Sequence, residues 1–261
     1  MQSTNKIDWQ DQGLTSPVLY FVVPCYNEED AIAETAAQLI SKTSELVTNG
    51  KISAQSKVLL VDDGSADATW PIICVLAQES GAIEGLRLAK NYGQQVALYA
   101  GMLEAAASCD MCITLDADGQ HSLNAVDAML EAFADGCEVV YAAKANPRQD
   151  PLWKRLTSSA YHSVLALQGA RTVKNHADYR LVSAHAIHLI ADMPKTVVFL
   201  RNDFSKLGLP SAVVPYECRP RMAGKSKYSL GKMISLACDG FASVSSKPGT
   251  NTVDFAIADR V

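Results

Sequence analysis

Thr114-Leu115-Asp116-Ala117-Asp118-Gly119-Gln120 closes a short apolar run, residues 111–115, with two carboxylates one residue apart and then a glycine. A run of that length bounded by turn residues reads as a buried strand, so the acidic pair emerges where the strand ends. Three earlier runs end in the same manner. Residues 18–23 lead into Pro24-Cys25-Tyr26-Asn27-Glu28-Glu29-Asp30, residues 57–61 into Asp62-Asp63-Gly64-Ser65, and residues 83–88 into Lys90-Asn91-Tyr92-Gly93. A fifth strand is expected over 138–142, and helical patterns occupy about 30–47, 68–79, 94–107 and 123–134. Strand and helix in alternation predict an α/β fold, a mostly parallel central sheet flanked by helices, with the ligand site at the carboxyl ends of the strands.

On this reading Pro24 ends the first strand, Asn27 caps the helix that follows, and Gly64, Ser65 and Gly93 serve turns and caps. Turn chemistry does not explain why carboxylates gather along one rim. Asp116 and Asp118, with nothing basic between them, repel unless a cation intervenes, and oxygen donors favour Mg²⁺ or Mn²⁺. Such an ion, held by one or two carboxylates, completes its shell with water and substrate phosphates. A nucleotide diphosphate is its natural partner.

The 261 residues are 48% apolar and 20% charged, with a net charge of −5. That composition excludes a mainly disordered or collagenous chain and argues against nucleic-acid binding. The charge is uneven. From Arg201 to Lys232 there are seven Lys/Arg against two Asp/Glu, a local +5 that leaves −10 for the remainder and points to an anionic partner such as phosphate or a lipid headgroup. Seven scattered cysteines read as reduced thiols of a cytosolic protein. Cys109 and Cys112 have CxxC spacing, but no second pair or His cluster accompanies them. Residues 1–15 form a polar extension without the layout of a signal peptide. No apolar run approaches the roughly 18–20 residues of a membrane span. The expected location is cytoplasmic, peripheral on the inner face of a membrane.

Six stretches stand in a telling order: Val23-Pro24-Cys25-Tyr26-Asn27-Glu28-Glu29, Leu60-Val61-Asp62-Asp63-Gly64-Ser65, Asn91-Tyr92-Gly93-Gln94-Gln95, the stretch that opens this section, Asp178-Tyr179-Arg180-Leu181, and Arg221-Met222-Ala223-Gly224-Lys225-Ser226-Lys227-Tyr228-Ser229. Over roughly residues 16–246 the chain thereby resembles family 2 inverting glycosyltransferases of the GT-A fold. Within them it is similar to the polyprenyl-phosphate glycosyltransferases, the group of dolichyl-phosphate mannose synthase and bacterial undecaprenyl-phosphate glucosyl transferases. The resemblance implies that Pro24, Tyr26 and Glu28 line a nucleoside pocket with Asp63 near the base. It implies that Asp116 and Ala117 lie on the ribose side, and that Asp118 and Gln120 hold a metal. Arg221 and Lys227 match the basic pair on the donor diphosphate, and Asp178 an acidic position near the acceptor end. Arg180 offers Asp178 an ordinary ion pair as the alternative.

Three departures stand out. Gly119 and His121 occupy places where the family has a bulky apolar and an acidic residue; His121 is expected to face solvent, with a metal contact as the alternative. Lys144 replaces an arginine, keeping the charge without the bidentate fork. Bacterial members commonly continue into two membrane-spanning helices, whereas here residues 227–246 read as an interfacial helix or one packed on the body, and 247–261 as a polar tail. The resemblance implies transfer of a sugar from a nucleotide diphosphate sugar, UDP- rather than GDP-linked, to a polyprenyl phosphate. Transfer to a saccharide or protein hydroxyl, and nucleotide-sugar binding without turnover, stay open, as does a homo-oligomer. A dinucleotide-dependent dehydrogenase is disfavoured, because no glycine-rich loop follows the first strand.

Overall fold

The computed structural model describes residues 16–119, 121–145, 176–193, 198–217, 253 and 255–261. Its strands are β1 (Leu19–Cys25), β2 (Lys57–Asp62), β3 (Ile83–Leu88), β4 (Met111–Thr114), β5 (Val139–Lys144), β6 (His176–Ser183), β7 (Ser211–Tyr216) and β8 (Ile257–Arg260). The helices among them are α1 (Ile32–Thr48), α2 (Thr69–Glu79), α3 (Gln94–Ala106), α4 (Ala125–Ala134), α5 (Ala184–Asp192) and α6 (Leu200–Lys206). All eight strands form one sheet in the order β7-β5-β6-β4-β1-β2-β3-β8. β1 pairs parallel with β2 and β4, and β2 parallel with β3. β6 runs antiparallel between β4 and β5, and β8 runs antiparallel along β3.

The alternation of side chains along β1 divides the core. Leu19, Phe21 and Val23 face one layer with α1, α2 and α4, while Tyr20 and Val22 face the other with α3, α5 and α6. A strand buried on both faces has no polar side to show, which is why β1 reads as a continuous apolar run. α3 lies close on the sheet at Gly101, where a β-carbon would stand 2.6 Å from both Val22 Cγ1 and Val61 Cγ2. α3 follows β3 in the chain, so its first residues lie at the carboxyl rim.

The parallel α/β core matches the sequence reading; several details differ. Pro24 does not end β1 but pairs with Val61, and Cys25 with Asp62. Pairing with β4 has already stopped at Val22 and Thr114, so on that side no ladder bond is owed by a residue without an N–H. β6, whose sequence HADYRLVS mixes charge with apolar residues, carries no strand-like pattern yet forms a strand inside the sheet. Within the stretch read as a polar tail, Ile257–Arg260 forms the edge strand β8. Among the described residues no helix is long and apolar enough to cross a membrane. Residues 1–15 and the proposed helix 227–246 lie outside the described residues.

Candidate active site

The ends of β1 and β2 are joined by their loops. Asn27 sits in the left-handed region at φ 51°, its N–H donating to Ser65 Oγ (2.9 Å) and its Oδ1 accepting from Ala66 N (2.9 Å). Glu28 N donates to Thr69 Oγ1 (2.8 Å), and Glu29 Oε2 accepts from Ala68 N (2.9 Å). Asn27 is therefore not a helix cap: α1 begins at Ile32 without a side-chain cap, and Asn27 fastens one loop to the next. Pro24, Tyr26 and Glu28 line this rim half-buried.

Asp62 and Asp63 carry the joint onward. Asp62 is fully buried, its Oδ1 accepting from Ser65 N (3.1 Å) and its Oδ2 3.2 Å from Arg87 Nε. Asp63 is buried too, with its two oxygens accepting from Tyr92 N (2.7 Å) and Gly93 N (2.9 Å). Burial pushes its carboxyl up, and the two N–H bonds pull the other way. Gly64, at φ +68°, comes so close that a β-carbon would lie 2.5 Å from the carbonyl carbon of Lys90. Only glycine suits both conditions.

A second cluster forms where β4 ends and β6 begins. Because β6 is antiparallel and pairs Arg180 with Thr114, Asp178 lies just past the end of β4, on the rim that carries Asp116. Asp116 Oδ1 accepts from Gln94 Nε2 at 2.6 Å. Asp178 Oδ2 accepts from Gln95 Nε2 at 2.9 Å, and its Oδ1 from the Arg180 guanidinium. Arg180 is 1% exposed and stands over the Phe204 ring. The ion pair expected as the alternative for Asp178 is present, and it sits inside the cluster. Gln94 and Gln95 belong to a stretch singled out in the sequence, yet neither had a role there.

Ala117 is buried, and its carbonyl accepts from Thr35 Oγ1 (2.7 Å), which ties the acidic loop to α1. Asp118 is 8% exposed. His121 corrects the expectation of a solvent-facing loop residue: it is also 8% exposed, packed between Tyr179 and Tyr216 at centroid distances of 5.0 and 5.5 Å. Its Nε2 is 3.9 Å from Asp116 Oδ2, and its buried Nδ1 has no hydrogen-bond partner. Aromatic neighbours from β6 and β7 enclose it, and neither strand is legible near His121 in the chain. Tyr179 donates its hydroxyl to Ser122 O (3.2 Å), and burial pushes its phenol up.

Among the described residues no three or more His, Cys, Asp or Glu side chains are grouped to hold a metal. The oxygen donors Asp116 and Asp118 suit a hard divalent ion that takes its other ligands from phosphate and water. Gln120, Arg221 and Lys227 lie outside the described residues; Lys144 ends β5 on the same rim. The Cys109 and Cys112 sulfurs are 3.5 Å apart as free thiols at the opposite end of β4.

A family model described as Glycosyl transferase family 2 matches residues 20–203. The uncharacterized glycosyltransferase YkoT of Bacillus subtilis is 37% identical over 234 residues, which take in 90% of this chain and 69% of that protein. The bactoprenol glucosyl transferase of Shigella phage SfV is 29% identical over 228 residues, 87% of this chain and 72% of that one. Among solved structures, glucosyl-3-phosphoglycerate synthase from Mycobacterium tuberculosis, in complex with phosphoglyceric acid, superposes with a TM-score of 0.57 at 18% identity, covering 93% of this chain and 83% of that one. The mannosyltransferase PcManGT from Pyrobaculum calidifontis, in complex with GDP-Man and Mn²⁺, gives 0.54 at 18% identity, covering 81% and 59%. At such identities the likeness is one of fold.

Proposed function

The chain belongs to glycosyl transferase family 2, and from that premise we propose that it is an inverting, metal-dependent transferase that moves a sugar from a nucleotide diphosphate sugar to a polyprenyl phosphate. The observation that carries the proposal is the meeting of Asp116 and Asp178 on one rim, beside the joined loops after β1 and β2. A relative named bactoprenol glucosyl transferase supports the lipid acceptor, and UDP is the favoured nucleotide.

In this reading Pro24, Tyr26, Glu28 and Asp63 surround the nucleoside, and Asp116 with Ala117 lies at the ribose. Asp118 and Gln120 are the residues that would hold Mg²⁺ or Mn²⁺, whose chemistry is to neutralise charge on the diphosphate. Arg221 and Lys227 act on the same charge as the leaving group departs. A lipid phosphate is ionised at neutral pH, so its oxygen attacks the anomeric carbon directly: the bond from that carbon to the sugar phosphate of the donor breaks, and the nucleoside diphosphate leaves. No base is required. Asp178, with both oxygens already accepting from Gln95 and Arg180, fits an orienting role better than proton removal. The lipid acceptor entails contact with a membrane surface, for which residues 227–246 are the proposed segment.

The test is to incubate purified protein and Mn²⁺ with labelled UDP- and GDP-sugars and, in parallel, polyprenyl phosphate, polyprenol or a saccharide. Label entering the chloroform phase as a charged product with polyprenyl phosphate alone is the expected result. Transfer only to a hydroxyl acceptor, or none from any donor in a lipid-competent preparation, overturns the proposal.

A further inference from the structure

We infer that Gln94 and Gln95 are positioning residues that divide the rim between them, Gln94 setting the donor-side carboxylate Asp116 and Gln95 the acceptor-side carboxylate Asp178. The inference rests on the transferase reading and deepens it. Consecutive residues at the start of a helix project about 100° apart, so neighbours on α3 can reach two different carboxylates. Gln94 donates to Asp116 at 2.6 Å and Gln95 to Asp178 at 2.9 Å.

The orientation of the Gln95 amide follows from its partners. Its NH₂ faces a carboxylate, which only accepts, while its Oε1 accepts from the backbone N–H of Leu200 at 3.2 Å. A flipped amide would lose both bonds. Gln95 thus ties Asp178 to the first residue of α6, and Arg180 fixes the second carboxylate oxygen. Asp178 is 5% exposed, so water is a poor substitute for the amide. α3 itself is seated by the close contact of Gly101 with β1 and β2. The β4–β6 ladder sets where the two carboxylates start, and the pair of amides on one turn of α3 sets which way each one faces.

Gln94→Met and Gln95→Met keep side-chain length and remove the amide. With Mn²⁺ present, Gln94→Met is expected to raise the nucleoside diphosphate Kd and the donor KM roughly tenfold, about the worth of one hydrogen bond to a charged group, with kcat little changed. Gln95→Met is expected to lower kcat roughly tenfold and to leave the nucleotide Kd within about twofold. In an Asp178→Asn background the further loss from Gln95→Met should shrink to about twofold, because its ionic partner is gone. A general loss of stability would move both parameters together in both variants. Equal shifts of Kd and kcat in the two variants, or full additivity with Asp178→Asn, overturn the inference while wild-type transfer keeps the functional reading intact. A wild type that binds nucleotide and makes no product fails the functional reading instead; an unchanged nucleotide Kd in Gln94→Met then overturns the division by itself.

Discussion

The two halves of the rim hold their carboxylates differently. After β1 and β2, Glu29, Asp62, Asp63 and Asp67 all accept from backbone N–H groups of the rim loops, with Arg87 beside the second oxygen of Asp62. After β4 and before β6, Asp116 and Asp178 accept from the side chains of Gln94, Gln95 and Arg180. Carboxylates bound to backbone fix loop shape and act as scaffold. Those bound to side chains keep a direction of their own and can be aimed at a ligand. The same residue type thus builds the site on one side and is presented by it on the other.

Removing a side-chain donor from the second half gives the largest effect. Arg180→Met leaves the buried Asp178 carboxylate without its cation, and equilibrium denaturation should show a loss of about 3–5 kcal/mol. A loss near zero would mean that water replaces the guanidinium and that this half is not a desolvated cluster. In the first half the comparable break is in the backbone. Gly64→Ala combines a positive φ with a clash against Lys90 and should cost about 2–4 kcal/mol in the same measurement. Ser65→Ala, which removes the acceptor for Asn27 N, should cost about 1 kcal/mol.

The smallest effect is a pH dependence at Asp63. Burial holds its carboxyl above the ordinary 3.8, with the Tyr92 and Gly93 bonds acting against the shift. A raised folded-state pKa means that folding favours the protonated form. Its contribution is complete below 3.8 and is lost as pH rises through the folded-state value. The stability of wild type minus that of Asp63→Asn should therefore decline on going upward from that pH and then level off. A difference that grows with pH would show that the N–H bonds outweigh burial.

The first half was also the more legible. β1, β2 and their loops are contiguous stretches whose apolar runs and turn residues announce a parallel α/β sheet. Asp116 and Asp118 were found by the same local logic. The second half depends on partners brought from far along the chain. Asp178 reaches Asp116's rim because β6 inserts antiparallel between β4 and β5, and no periodicity in HADYRLVS foretells that. His121 is buried by Tyr179 and Tyr216, which are distant in sequence. Gln94 and Gln95 were visible as a polar pair at the start of a helix, but the identity of their carboxylates comes only from the packing of α3 on the sheet.

We propose that this rim binds a nucleoside diphosphate through its carboxylate pair and a divalent ion. Calorimetric titration of UDP and GDP into wild type and Asp118→Ala, each with and without Mn²⁺, tests it most directly. The prediction is Mn²⁺-dependent binding by wild type, stronger for UDP, that Asp118→Ala abolishes. Titration curves unchanged by Asp118→Ala would contradict it.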